Sequence, residues 1–193
     1  MTQWKYQSRV FTEKDPADLK QRLSDSKLCS RTQDRTPTYL VGQSDHYVKV
    51  INGQIKIKGP LRQVDPVIHE LRDDRYCFPV EQRVIASALG FDDTSKSPLK
   101  DLDALTGYGH RNKAVVTNVP TQSKKFENSD LEIEVSQVDI LGDKMFTVAV
   151  ASQSPDKIHE ALDKYGILKL PEAVMMEYAE RIKRTNEKLK GKR

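Results

Sequence analysis

Hydrophobic and polar residues alternate along much of this chain, a pattern typical of β-strands with one buried and one polar face. Alternation predicts strands at 3–11 and 38–43. Helical spacing of apolar residues predicts helices at 16–23, 78–89 and 155–165, and the second of these has Pro79 near its start and Gly90 just past its end. A last helix is predicted from about Pro171. Together the elements indicate an α+β protein built on antiparallel strands.

A tight hairpin is predicted within HYVKVINGQIKIK, because both central residues of a type I′ turn need positive φ and Asn52-Gly53 suits that turn. Counting outward from the turn places Lys49 opposite Lys56, with Lys58 on the same face. The other face is apolar and is expected to pack on helices: Val48, Val50, Ile55 and Ile57. Directly opposed like charges destabilise a strand pair by up to about 1 kcal/mol, so this face suits a bound anion or facing carboxylates. Lysines that extend into water, where the repulsion is screened, remain the alternative.

A second hairpin is predicted within LEIEVSQVDILGDKMFTVAVAS, with a type II′ turn at Gly142-Asp143. The core face is expected to comprise Leu131, Ile133, Val135, Phe146, Val148 and Val150. On the opposite face Glu132 and Glu134 point the same way, and their oxygens suit a shared Mg²⁺ or Mn²⁺ ion. Two alternatives stay open: a solvated acidic face, or acids paired with lysines across a closed sheet.

Polar faces recur on the remaining predicted strands. Lys5 and Arg9 share a face of the first strand, together with Gln3 and Gln7. Arg111 and Lys113 alternate on a strand predicted near 111–118. So many polar strand faces favour an antiparallel β-barrel or tunnel, with a polar interior and with helices packed outside.

Residues 1–193 are predicted to form a single domain. Within it, 92–109 is rich in turn-forming residues and is expected to be a surface loop, and 171–193 is expected to form the C-terminal helix and a basic tail.

The overall charge is modest, because 32 lysines and arginines face 28 acidic residues and leave +4. The chain is therefore not a polycation, nucleic acid is not an expected partner, and an anion site must come from local clustering. Cys29 and Cys77, in a chain without an apolar leader, indicate free thiols in a reducing cytoplasm. The apolar runs are far shorter than the roughly 20 residues that span a bilayer, so no membrane role is expected.

The order of these elements resembles the CYTH family, the triphosphate tunnel metalloenzymes that include class IV adenylate cyclases, thiamine triphosphatases and inorganic triphosphatases. The resemblance rests on YVKVINGQIKIK, a helix ending in leucine-glycine, HRNKAVV, LEIEVSQVDILGDKMFTVAV and the closing EYAERIKR. It implies that phosphate is held by Lys49, Lys56, Lys58, Arg111 and Lys113, to which the first strand adds Lys5 and Arg9. It also implies acidic residues that hold divalent ions.

Two segments depart from the family pattern. The first strand reads QWKYQSR where the family has alternating glutamates, and Ala149 and Ala151 stand where further acids are expected. A two-metal site needs carboxylates around each ion, and one strand does not supply them. The first hypothesis is therefore a CYTH-like domain that binds a triphosphate, polyphosphate or nucleotide-like anion in a basic tunnel, with catalysis weak or lost.

Two other functions remain open. One is a divergent metal-dependent triphosphatase or class IV adenylate cyclase-like enzyme in which Glu132 and Glu134 hold one Mg²⁺ or Mn²⁺ ion. The other is a non-catalytic protein-interaction scaffold. The sequence specifies neither the ligand nor the oligomeric state.

Overall fold

The computed structural model describes residues 4–191. Gln3 of the predicted first strand and Lys192 and Arg193 of the basic tail lie outside the described residues. The strands are β1 (Tyr6–Thr12), β2 (Cys29–Arg35), β3 (Thr38–Val41), β4 (Tyr47–Ile51), β5 (Gln54–Asp65), β6 (Ile68–Cys77), β7 (Val80–Glu81), β8 (Pro98–Leu99), β9 (Val115–Asn118), β10 (Thr121–Glu127), β11 (Leu131–Ile140), β12 (Asp143–Ser152) and β13 (Val174–Met175). The α-helices are α1 (Ala17–Ser24), α2 (Gln82–Leu89), α3 (Leu102–Arg111), α4 (Pro155–Lys164) and α5 (Tyr178–Lys190), and a short 3-10 helix spans Ile167–Lys169.

Most strands join one antiparallel sheet with the order β2-β10-β11-β12-β1-β6-β5-β4-β3-β9, while β13 pairs with β1 and β7 pairs with β8. The predicted α+β class is confirmed. Of the two predicted alternatives, a barrel or a tunnel, the closed barrel does not form, because among the described residues the order begins at β2 and ends at β9 and these two strands do not pair. Closure was inferred from polar strand faces, but ion pairs along a face satisfy its charges without it.

The described residues divide into two compact units. The first unit comprises 4–35, Leu61–Leu71 and Pro120–Glu177, and the second comprises Thr36–Pro60, Arg72–Val119 and 178–191. Strands β5 and β6 contribute residues to both. No described helix is both long enough and apolar enough to cross a membrane.

In the first unit, one face of the sheet is apolar and is buried beneath α1 and α4. The strand residues of this core include Val10, Phe126, Ile133, Val135, Val148 and Val150, and the helices contribute Leu19, Leu23, Ile158, Ala161 and Leu162. Four of the six residues predicted for the core face of the second hairpin are therefore fully buried, while Leu131 packs at the margin of the cluster and Phe146 is half-buried. Alternation along β11 and β12 was enough to predict this face, because the side-chain period of a strand is two.

In the second unit, the first hairpin adopts the predicted register. Asn52 and Gly53 have φ values of 49° and 72°, as a type I′ turn requires, and Lys49 lies opposite Lys56. The apolar face packs on α2 and α3 through Leu40, Val48, Val50, Ile55, Ile57, Ile85, Ala88, Leu89 and Leu105. The predicted packing of this face on helices is confirmed.

The turn of the second hairpin lies one residue earlier than predicted. Leu141 and Gly142, with φ values of 56° and 93°, occupy its centre, and Ile140 pairs with Asp143. Each residue of β11 therefore faces a partner two positions away from the predicted one. The two faces are unchanged, because a shift of two keeps every side chain on its side of the sheet.

The predicted surface loop at 92–109 contains the start of a helix. The carboxylate of Asp101 accepts a hydrogen bond from the backbone N–H of Ala104 at 2.8 Å and caps α3. Two glycines in LDALTGYGHR obscured this helix, since glycine disfavours helices. Gly109 is needed for packing, because a Cβ at this position would lie 2.8 Å from a Leu40 methyl group.

The predicted strand at 111–118 is wrong in its first half. Arg111 is the last residue of α3, Lys113 has a positive φ of 61° in the following turn, and β9 begins only at Val115. The two basic side chains do not alternate on a strand, because helix α3 extends into the segment.

Two helices begin later than predicted. Helix α2 begins at Gln82 because Val80 and Glu81 pair with β8. Helix α5 begins at Tyr178, because β13 pairs with β1 in the segment that was expected to be helical. Strands β2, β6 and β10 were not predicted.

Candidate functional site

A basic face lies on the polar side of β3, β4 and β5 in the second unit. Lys49 pairs across the strands with Tyr39 on one side and Lys56 on the other, and Lys58 pairs with Tyr47. We call these three lysines the lysine face. The two tyrosines are buried, with 1% and 4% exposure, and the three lysines are half-buried. The register predicted from Asn52-Gly53 therefore brings the three lysines together.

Two features of the second unit offset the repulsion within the lysine face. Asp73 on β6 lies 3.5 Å from the Lys58 ammonium and 2.9 Å from the Arg75 guanidinium. The Lys49 ammonium lies 5.4 Å from the centroid of the Tyr39 ring, where a cation is attracted by the π-system. Tyr39 in turn stacks on Tyr178 of α5 at 5.1 Å, which fixes the ring. Residues of the protein itself therefore offset part of the repulsion between the lysines.

The charge of Asp73 should make the free energy of unfolding depend on pH in the acid range. Burial by itself raises the pKa of this carboxyl, but Lys58, Arg75 and Lys56 together lower its pKa below the usual 3.8. A lowered native pKa stabilises the fold above the unfolded pKa, and that contribution is lost as pH falls through the native value. We expect Asp73→Asn to lose less stability than the parent between pH 5 and pH 3, measured by urea unfolding. An equal loss in the two proteins would contradict this role for Asp73.

The structure does not bring Arg111 and Lys113 onto the lysine face. Both side chains are exposed, one in the last turn of α3 and the other in the turn that precedes β9. The strand that the sequence analysis predicted for them would have aligned them with the hairpin lysines. Their predicted role in phosphate binding stays a prediction.

The first unit carries a cluster of ion pairs on the polar face of β10 and β11. The Lys125 ammonium donates to Oε1 of Glu132 at 2.7 Å and lies 3.2 Å from Oε2 of Glu134. One guanidinium nitrogen of Arg35 donates to both oxygens of Glu134, at 2.9 and 3.0 Å. The four side chains are only 12–22% exposed. We call them the acid–base cluster.

Strand register assembles this cluster. Lys125 pairs across the strands with Glu134, and β2, which ends at Arg35, is paired to the other side of β10. Sequence reasoning found the two glutamates but missed Lys125 and Arg35, because β2 and β10 carry few apolar residues. A usable signal was the pair of turn formers Asn128 and Ser129, which separates TQSKKFE from β11 as a short hairpin loop would.

Arg9 lies on the same sheet face of the first unit, in a polar network. Its guanidinium donates to the Thr147 hydroxyl at 3.2 Å and to the Gln7 side-chain carbonyl at 3.4 Å, and it lies 3.9 Å from a carboxylate oxygen of Glu177. Glu177 was not predicted. Lys5 precedes β1, is half exposed to solvent, and lies 3.7 Å from Glu70. Its predicted role in phosphate binding stays a prediction.

The residues near Glu132 and Glu134 do not fit a resident Mg²⁺ or Mn²⁺ ion. Among residues 4–191, no group of three or more His, Cys, Asp or Glu side chains is suited to holding a metal. The neighbouring positions on β12 are Ala149 and Ala151, which supply no oxygen ligands. In the acid–base cluster, two positive charges already face the two carboxylates.

Comparisons with solved structures identify the fold. PH1012 from Pyrococcus horikoshii OT3 is similar over 90% of this chain and 98% of its own length, with 14% identity and a TM-score of 0.56. PH1819 from the same organism is similar over 93% and 99% of the two chains, with 13% identity and a TM-score of 0.52. HpAC1 from Hippeastrum, an adenylyl cyclase candidate described with a dominant triphosphatase activity, is similar over 84% and 88%, with 8% identity and a TM-score of 0.50.

These likenesses show that the chain has a CYTH-like fold, as its order of elements predicted. No protein-family model matches the chain. No curated protein sequence matches it either. At 8–14% identity the neighbours establish the fold alone, and the function must be argued from the chain's own residues.

Proposed function

We propose that this chain binds a phosphate-rich anion (a triphosphate, a polyphosphate or a nucleotide) through its lysine face, and that phosphoryl-transfer catalysis is weak or lost. The observation that carries the proposal is the direct opposition of Lys49 and Lys56, with Lys58 beside them, on a half-buried sheet face.

The placement of the three lysines favours an anion with several charges. Ammonium groups on neighbouring strands lie within reach of successive phosphates of one chain, and ammonium groups bind phosphate as point charges. Because the lysines are half-buried, the interaction is screened less than it would be at a fully exposed surface. Asp73 holds Lys58 and Arg75 in place before an anion arrives, which lowers the ordering cost of binding.

The ion pairs of the first unit support the proposal that catalysis is weak or lost. Metal-assisted phosphoryl transfer needs ions that neutralise the developing charge. In the acid–base cluster, Glu132 and Glu134 are engaged by Lys125 and Arg35 and are not arranged to hold such ions. The divergent enzyme is therefore the weaker hypothesis, and no separate observation favours the interaction scaffold.

Thermal unfolding with tripolyphosphate, ATP and sulfate tests the proposal. At a hundredfold excess over Kd, a ligand stabilises the native state by about 2.7 kcal/mol, which corresponds to roughly 5–10 °C in Tm for a chain of this size. We expect such a shift with tripolyphosphate or ATP and a smaller one with sulfate. Phosphate release measured in the same samples with Mn²⁺ is expected to stay at background, and release well above background would favour the enzyme.

Neutralising Lys56 should distinguish anion binding at the lysine face from nonspecific attraction to the protein's positive charge. Lys56→Gln removes a charged contact worth about 1.5–3 kcal/mol, so the affinity for tripolyphosphate should fall roughly 10- to 100-fold. The matched control is Lys96→Gln, which makes the same charge change at an exposed position of the second unit. Equal losses in the two variants, or no Tm shift in the parent with any of the anions, would show that the lysine face is not the binding site.

A further inference from the structure

We infer that Lys125 is a built-in counter-cation that occupies the position between Glu132 and Glu134, and that it excludes a divalent metal ion from this acidic pair. The glutamates lie two apart on β11 and so point to the same side of the sheet. Lys125 reaches across from β10 and places its ammonium 2.7 Å from one carboxylate and 3.2 Å from the other.

The geometry of this ammonium matches what two carboxylates require. An ammonium has three N–H donors: Lys125 donates to Glu132 and also forms an ion pair with Glu134. Lys125 is held by the strand pairing of β10 with β11, and its side chain is 13% exposed. Its position is therefore fixed by the sheet rather than by a flexible surface contact.

A divalent ion would have to displace this ammonium and also compete with Arg35, which engages both oxygens of Glu134. Mg²⁺ gives up its water reluctantly, and a displaced Lys125 would leave a second positive charge beside the ion. Exclusion of the metal thus follows from the charge already present. It does not depend on the number of carboxylates alone.

This inference extends the proposed function, on which its second consequence rests. If the lysine face binds the anion and the acidic pair holds no metal, then anion binding should need no divalent cation at Glu132 and Glu134.

Direct titration of Mn²⁺, followed by electron paramagnetic resonance without any anion, tests the role of Lys125. The parent protein should leave Mn²⁺ free, whereas Lys125→Gln should bind it at least about tenfold more tightly, because one opposing charge is gone. Lys125→Arg keeps the charge and should behave like the parent. Lys124→Gln is the matched control, because its side chain points to the other face of β10 and contacts Ser24.

Mn²⁺ binding by the parent, or no gain in a folded Lys125→Gln variant, would overturn the inference. If that variant fails to fold, the parent still provides the test, because Mn²⁺ alone must leave its Tm unchanged. The consequence for the anion is measured separately, as a Tm shift by tripolyphosphate in EDTA, where no divalent cation is free. Failure of tripolyphosphate to shift Tm in this solution would contradict the proposed function, while the Mn²⁺ titration would still decide the role of Lys125.

Discussion

Replacing Gly42 with alanine is expected to destabilise the protein by about 3 kcal/mol or more, because the new methyl group has no room. A Cβ at this position would lie 2.2 Å from the Leu89 carbonyl oxygen and 2.8 Å from the Leu89 Cβ. The obstacle is backbone at the end of α2, and backbone cannot rotate away as a side-chain tip can.

The same carbonyl holds the contact between β3 and α2 together. The backbone N–H groups of Gln43 and Ser44 donate to the Leu89 oxygen at 2.8 and 3.3 Å. Making space for a methyl group at Gly42 would lengthen these bonds, which adds the cost of unsatisfied buried groups to the cost of overpacking. The hairpin with the lysine face begins a few residues later, so the contact also positions the candidate site.

Urea unfolding of Gly42→Ala measures this effect, and Gly107→Ala provides the matched control. Gly107 lies inside α3, and a Cβ there would contact only the Arg111 guanidinium at 3.5 Å. Alanine is the better helix former, so the control should be neutral or more stable by up to about 1 kcal/mol. A Gly42→Ala variant as stable as the control would show that β3 and α2 do not approach each other this closely.

The first hairpin shows where sequence alone was sufficient. Asn52 and Gly53 specify one turn type, the turn fixes the register, and the register places Lys49 opposite Lys56. In the second hairpin, Gly142 is compatible with more than one position in a turn. Leu141 adopts a positive φ, which is not expected for leucine. The pairing was therefore shifted by two residues, although the faces were predicted correctly.

The missed elements share a physical cause. Strands β2 and β10 have the sequences CSRTQDR and TQSKKFE, which show almost no apolar alternation. Their place in the sheet depends on pairing with neighbouring strands. Helix α3 contains two glycines, and tertiary packing against Leu40 outweighs their low helix propensity.

The candidate site was predictable only in part for the same reason. The lysine face depends on one local turn, so its residues could be grouped from the sequence. The acid–base cluster depends on β10, which was not recognised as a strand although it directly precedes β11, and on β2, which lies far from both along the chain. Glu132 and Glu134 were therefore recognised as an acidic pair, whereas their partners Lys125 and Arg35 were not.

Among substitutions that remove a charge from the acid–base cluster, Glu134→Gln should destabilise the protein most. Glu134 contacts Arg35 and Lys125 and accepts a hydrogen bond from the Ser136 hydroxyl at 3.1 Å, and its side chain is 12% exposed. Removing one partner from a buried ion pair costs about 3–5 kcal/mol, and the remaining exposure of these groups lowers the expected cost to about 2 kcal/mol.

Glu132→Gln is the matched comparison, because it makes the same change two residues away on the same face of β11. Glu132 has one close partner, Lys125 at 2.7 Å, and lies 4.0 Å from Arg31, so its loss should cost about 1 kcal/mol. Urea unfolding at pH 7 in low and in high salt measures both variants. Because the Glu134 contacts are largely shielded from water, the larger loss of stability in Glu134→Gln should persist in high salt. A loss that disappears in high salt would show that the cluster is exposed to solvent. It would also remove the basis for Lys125 as a fixed cation.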